Sequence, residues 1–142
     1  MKRVLLLTHG HMASGIRNTV SILLGNSEHL DTIDAYVDEH NLTDQLNRYF
    51  QEMDADDQLI ALADLMGAST YQQLLMHCHR DNMFIIAGIN LVLILELLID
   101  KNKEFTKSEL QQLVIQSREA MVLHDQSIYA EGETSAEDTD FF

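Results

Sequence analysis

The stretch Leu5-Leu6-Leu7-Thr8-His9-Gly10-His11-Met12-Ala13-Ser14-Gly15 decides how the rest of the chain is read. An unbroken apolar run ends in a histidine, small residues follow, and a helical pattern begins. A continuous apolar run suits a strand of a parallel sheet covered on both faces, so residues 3–8 read as a buried strand. In open α/β sheets, chemistry sits just beyond the carboxyl ends of the strands. His9 stands at the first such end and is the candidate reactive group.

The pattern repeats outward from that strand. Over residues 13–24, Ile16, Val20, Leu23 and Leu24 share one helical face, and Gly25-Asn26 stops the helix. Residues 30–37 alternate, with Ile33, Ala35 and Val37 on one side, and read as a second strand. Asn41 caps a second helix in which Leu42, Leu46, Tyr49, Phe50 and Met53 recur at helical spacing. Residues 54–57 form an acidic turn, and residues 59–63 a third buried strand ending at Asp64. Ser69-Thr70-Tyr71-Gln72 matches a capping box, with Gln72 reaching back to Ser69 to open a third helix.

Residues 83–87 are the fourth strand, and Gly88-Ile89-Asn90 feeds a fourth helix. Thr106-Lys107-Ser108-Glu109 is a second capping box, flanked by Phe105 and Leu110 in the places of a hydrophobic staple. A fifth helix then carries Leu110, Leu113, Val114, Ser117 and Met121 on one face. Residues 127–130 are the candidate for a short, antiparallel edge strand, and residues 131–140 form an acidic tail. Residues 1–125 therefore read as one domain and residues 126–142 as an edge segment and tail. The alternation of strands and helices gives an α/β fold: a single open, mostly parallel, doubly wound sheet with helices on both faces.

Composition narrows the class. A chain of 142 residues with 46% hydrophobic residues can bury one sizeable core. The formal charge of −14 disfavours nucleic acid and anionic membrane surfaces, both of which call for clustered Lys and Arg. A protein with a basic or mixed docking face is the natural complement. The single cysteine, Cys78, leaves no internal disulfide or CxxC pattern, which fits the reducing cytoplasm. The apolar run after Met1-Lys2-Arg3 is too short for a signal peptide. The run of residues 83–99 is broken by Gly88, Asn90 and Glu96, so it reads as strand into helix and not as a membrane span. A soluble, cytoplasmic protein is expected.

Three turns at the carboxyl side of the sheet hold the unusual residues: Thr8-His9-Gly10, the segment from Asp64 through Gly67 to Ser69, and Gly88-Ile89-Asn90. The sequence does not fix the strand order. With order 2-1-3-4, the winding reverses between strands 1 and 3, and His9 faces Asp64. A histidine beside a carboxylate suits phosphoryl transfer. Asp64 accepts from one ring N–H, fixing the tautomer, and leaves the other nitrogen free to attack. An incoming phosphoryl group brings about −1.5 to −2 charges. Backbone N–H groups near Gly10, Ser14 and Ser69, beside two helix N-termini, are the candidates to receive it. Gly10 and Gly67 allow close backbone approach.

On these residues the chain resembles a known family. LLLTHGHMASG, LADLMGAST and IIAGINLVLILELL are similar to the motifs of the IIA component of the mannose-family (mannose/fructose/sorbose) bacterial phosphoenolpyruvate-dependent sugar phosphotransferase system. That family shows THG after strand 1, D-x-x-G-[GA]-[ST] after strand 3 and A-G-x-N after strand 4. The resemblance spans about residues 2–125. It implies that His9 takes a phosphoryl group from phospho-HPr and hands it to a cognate IIB protein, with Asp64 orienting the histidine and Ser69 near the phosphate. It also implies a homodimer exchanging a C-terminal edge strand, and only an indirect link to the membrane IIC and IID proteins. No cofactor and no metal are called for, since the phosphoryl group arrives on a protein. Members often carry proline two residues after the A-G-x-N asparagine, where this chain has Val92.

The same residues bear on competing readings. A histidine phosphatase carries Arg-His-Gly after its first strand, and Thr8 replaces that arginine. A response-regulator receiver places an acidic pair where Thr8-His9 stands. A regulatory or dihydroxyacetone-kinase-linked phosphocarrier of the same fold stays open. His11 reads as a neighbour that tunes charge or touches a partner. His77-Cys78-His79 cannot converge on one ion while helical, because adjacent helical residues point about 100° apart.

Overall fold

The structure, a computed structural model, describes residues 1–127. Its elements run β1 (Lys2–His9), α1 (Met12–Leu24), β2 (Leu30–Ala35), α2 (Leu42–Glu52), β3 (Gln58–Ala63), α3 (Ser69–His77), β4 (Met83–Ala87), α4 (Leu91–Ile99) and α5 (Lys107–Glu119). The four strands are parallel and ordered β2-β1-β3-β4. Val4 pairs with Leu30 on one side and Ile60 on the other, and Leu59 pairs with Met83. The chain thus begins mid-sheet, winds out to β2, and then returns past β1 to β3. The reversal between β1 and β3 opens a crevice at their carboxyl ends.

Alternation along the strands feeds two cores. Val4, Leu6, Ile60 and Leu62 face one layer, formed by Val20 of α1, Leu93, Ile94 and Leu97 of α4, and Leu110 and Leu113 of α5. Leu5, Leu7, Leu59 and Ala61 face the other, with Leu42 and Leu46 of α2 and Leu74 of α3. This is why residues 4–7 read as an unbroken apolar run: both faces are covered. Each fully buried leucine contributes about 2 kcal/mol of transfer free energy, enough to pin the register of β1.

Lys2 is an exception inside β1. It is buried, and its ammonium donates to Leu97 O at 2.6 Å and Asp100 O at 2.7 Å. A cation is thereby seated on the last carbonyls of α4, where the helix dipole favours positive charge. Burial lowers its pKa, and the nearby Asp100 works in the opposite direction.

Several boundaries differ from the sequence reading. The second strand ends at Ala35, two residues early, because Tyr36 adopts φ 66°. That left-handed conformation ends extended pairing, and in a bulky residue it costs about 1 kcal/mol or more. The capping box expected at Ser69–Gln72 is absent. Ala68 is the N-cap, no side chain closes that end, and Ser69 is the first helical residue. The second box is formed: Thr106 and Glu109 satisfy each other's backbone N–H groups. Met121 does not join the buried face of α5, since the helix has already ended at Glu119 and the side chain is exposed. The expected edge strand over residues 127–130 falls outside the described residues except for Ser127.

Candidate active site

β1 delivers His9 to the carboxyl edge of the sheet, and Gly10 turns the chain there with φ 60°. The Gly10 N–H still pairs with Ala35 O at 2.9 Å, so the turn stays tied to the end of β2. Thr8 is fully buried, and its hydroxyl accepts the Ala13 N–H at 2.8 Å. Asp34 accepts the Ser14 N–H at 2.9 Å. Two strand side chains therefore close the N-terminus of α1, which its N-cap residue His11 leaves without a side-chain bond.

Asp64 ends β3 opposite His9 and is the anchor of the site. Its Oδ2 accepts the His9 backbone N–H at 2.9 Å and lies 2.8 Å from His9 Nδ1. Its Oδ1 accepts the Thr70 hydroxyl at 2.8 Å and the Leu65 N–H at 3.1 Å. Burial works to raise the carboxyl's pKa. The His9 amide, the His9 ring and the Thr70 hydroxyl together outweigh burial and hold it below the ordinary value. Asp64 is therefore ionised at neutral pH and can only accept, which places the proton of the neutral imidazole on Nδ1.

Nε2 then carries the lone pair. The Ser69 hydroxyl stands 3.3 Å from it, and the Tyr36 hydroxyl donates to Ser69 Oγ at 2.8 Å. The Tyr36 ring tilts beside the imidazole with centroids 5.5 Å apart. Ser69 opens α3, whose N-terminus has no side-chain cap, whereas α2, α4 and α5 are each capped by their own Asn41, Asn90 and Thr106. The unpartnered first-turn N–H groups of such a helix form an anion-binding end. Gly67, at φ 77°, makes the turn that brings α3 to the histidine.

The sequence-derived candidates are thus distributed unevenly. His9, Asp64 and Ser69 meet around one imidazole, and Gly10 and Gly67 shape the two turns. Ser14 is engaged elsewhere: its N–H goes to Asp34 and its hydroxyl to His11 O at 3.1 Å. His11 makes a second histidine–carboxylate pair, with Nδ1 3.2 Å from Asp34 Oδ2. Burial works to raise the Asp34 carboxyl, and the hydrogen bonds of Ser14 and His11 hold it low.

Thr70, Asp34 and Tyr36 were not singled out from the sequence. Thr70 adjoins Ser69, which was, but nothing local marks its hydroxyl or that of Tyr36 as directed at the site. His77 places Nδ1 2.8 Å from Gln73 O and Nε2 2.9 Å from Asn47 Oδ1. Burial pushes the Cys78 thiol up to about 11. Among the described residues no helix is long and apolar enough to cross a membrane.

Large apolar side chains stand exposed around the candidate site: Met12 at the start of α1, Leu65 and Met66 after Asp64, and Tyr36 and Val37 after β2. An open surface of this kind suits contact with another protein better than enclosure of a small molecule.

Comparison with known proteins agrees with this architecture. The family model for PTS system fructose IIA components, EIIA-man, matches residues 3–114. A Klebsiella pneumoniae subsp. pneumoniae protein described as a phosphoenolpyruvate-dependent sugar phosphotransferase system permease superposes with a TM-score of 0.81 at 27% identity, covering 89% of this chain and 93% of its own. The PTS IIA protein associated with the fucose utilization operon of Streptococcus pneumoniae has a TM-score of 0.76 at 22% identity, covering 89% and 96%. The mannose/sorbose specific IIA subunit from Enterococcus faecalis has a TM-score of 0.71 at 19% identity, covering 88% and 96%. The last two are similar in fold.

Proposed function

Because the chain belongs to the EIIA-man family of PTS IIA components, and so is a component of a sugar phosphotransferase system, we propose that His9 is its phosphoryl carrier. Nε2 takes the group from phospho-HPr and passes it to a cognate IIB protein in the cytoplasm. The observation that carries the reading is the two-sided setting of the imidazole. Nδ1 is held by Asp64 at 2.8 Å, while Nε2 faces Ser69 and the uncapped end of α3.

In the transfer, the Nε2 lone pair forms the new bond to phosphorus, and the old bond breaks with its electron pair leaving on the donor. With the proton of the neutral imidazole on Nδ1, no proton has to leave Nε2. The positive charge that develops on the ring is offset by ionised Asp64 at the opposite nitrogen. The phosphoryl oxygens meet the Ser69 hydroxyl and the first N–H groups of α3, which supply donors and the positive end of a helix dipole. Transfer to IIB runs the same steps in reverse, so a site that only moderately stabilises the phosphorylated form suits a carrier.

The exposed Met12, Leu65 and Met66 beside the acceptor suit docking of HPr and IIB in turn. The chain also works as a homodimer in this reading. β4 is an edge strand whose five residues are all only partly covered, and Met121, Val122 and Leu123 stand exposed beyond α5. A C-terminal segment exchanged between copies would cover that edge.

Phosphorus NMR of protein loaded from phosphoenolpyruvate, enzyme I and HPr tests the assignment of the atom. A single phosphohistidine resonance of the Nε2 isomer is the expected result. An Nδ1 isomer, or phosphate on another residue type, would overturn it.

A further inference from the structure

Tyr36 is the one non-glycine residue with a left-handed backbone among the described residues. A bulky side chain rarely adopts that conformation, and it persists only where the surroundings over-determine it. Burial does not offset the strain here, because the side chain is 58% exposed. What it gains instead is a place beside the imidazole. The turned backbone sets the Tyr36 ring 5.5 Å from the His9 ring, with its hydroxyl donating to Ser69 Oγ at 2.8 Å.

That bond decides what the serine does. A hydroxyl has one proton and two lone pairs. The Tyr36 proton occupies one Ser69 lone pair, which leaves the Ser69 proton free to point at Nε2, 3.3 Å away. Nε2 is the correct recipient because Asp64 fixes the other proton on Nδ1. The result is one directed chain: Tyr36 O–H to Ser69, Ser69 O–H to Nε2, and Nδ1–H to Asp64.

We propose that Tyr36 is a positioning residue for the phosphoryl acceptor. Through Ser69 it keeps a hydroxyl donor at Nε2; as the lone pair turns to phosphorus that hydrogen bond is given up, and the same hydroxyl donates to a phosphoryl oxygen instead. The inference rests on the phosphocarrier reading of His9 for its second half and on the geometry alone for its first. Tyr36 forms no bond to phosphorus; it sets the rotamer of the hydroxyl that does the stabilising. Without it, the Ser69 hydroxyl is free to rotate away, and the donor to the phosphoryl oxygens is no longer held in place during transfer.

The test compares wild type, Tyr36→Phe, Ser69→Ala and the double variant. Tyr36→Phe keeps the ring and the strained backbone and removes only the hydroxyl. Single-turnover transfer from phospho-HPr is expected to slow about fivefold in Tyr36→Phe, the size of one neutral hydrogen bond, with the concentration dependence on phospho-HPr unchanged. In the Ser69→Ala background the second substitution is expected to cost nothing further. Nitrogen NMR of unphosphorylated protein at alkaline pH gives a second readout that needs no phosphoryl donor. Both Tyr36→Phe and Ser69→Ala should move the His9 Nε2 resonance toward that of a lone pair without a donor, again without additivity. An unchanged transfer rate with an unchanged Nε2 resonance in Tyr36→Phe would overturn the proposal, as would equal losses in both backgrounds. If wild type itself takes no phosphoryl group, the carrier reading fails, while the nitrogen resonances still decide whether the chain of hydroxyls exists.

Discussion

Asp64 shows most directly how residue-level physics sets this site. It is ionised, it accepts from four donors, and it thereby fixes which nitrogen of the neutral imidazole keeps the lone pair. Asp64→Asn removes the charge that offsets the developing imidazolium and no longer enforces the Nδ1–H tautomer. Transfer to His9 is expected to fall about 100-fold, measured by quenched-flow phosphorylation. The same substitution has a stability signature with a definite sign. The folded-state pKa of Asp64 lies below its ordinary value, so its contribution to stability is present above about pH 4 and is lost as pH falls through the lowered value. Wild type should therefore lose more stability than Asp64→Asn between neutral and strongly acid pH in urea titrations. His9, Asp64 and Ser69 were legible in the sequence because each stands where a strand ends or a helix begins. Asp34, Tyr36 and Thr70 were not, because their roles depend on pairing across the sheet and on a left-handed backbone that no local pattern announces. The register that sets Thr8 beside Asp34 is a tertiary fact.

At the scale of elements, the two helix starts with matching sequence signatures behave oppositely. Thr106-Lys107-Ser108-Glu109 forms its box, with Thr106 Oγ1 accepting from the Glu109 N–H at 3.2 Å. Ser69-Thr70-Tyr71-Gln72 does not, because the Ser69 hydroxyl is bound to Tyr36 and His9 and the Thr70 hydroxyl to Asp64. Tertiary partners have taken both hydroxyls away from the helix end. Thr106→Ala is accordingly expected to destabilise the fold by about 1 kcal/mol in chemical denaturation. Ser69→Ala, in spite of the same sequence pattern, should leave stability nearly unchanged while slowing transfer. Equal losses of stability would contradict this account of α3. The four strands, most of the helix faces and the Thr106–Glu109 box were readable, since hydrophobic periodicity and cap chemistry are local, whereas the strand order, set by pairing between distant segments, was an assumption that the sheet bears out. The early end of β2 was not, because Ala35-Tyr36-Val37 continues the alternation that the Tyr36 backbone breaks.

The whole molecule places its chemistry and its exposed edge apart. The carboxyl ends of β1 and β3 hold the candidate site, while β4 ends the sheet with partly exposed Phe84, Ile85 and Ile86 beside Leu110 and Val114 of α5. An apolar strand edge of this kind invites pairing with another strand. Removing residues 121–142 is expected to convert the proposed homodimer to a monomer in light scattering and to leave phosphorylation of His9 largely intact. A truncated chain that stays dimeric would place the interface elsewhere. The formal charge of −14 belongs to this scale as well, since a field of one sign favours basic or mixed docking faces and speeds their encounter.

The central claim is that His9 carries the phosphoryl group, and intact mass tests it most directly. The full chain and a His9→Ala variant are incubated with phosphoenolpyruvate, enzyme I and HPr, and both are weighed before and after brief acid treatment. One added phosphate on wild type, lost in acid, and none on the variant are the expected results. An unmodified folded wild type, or a variant that gains the same phosphate, would contradict it.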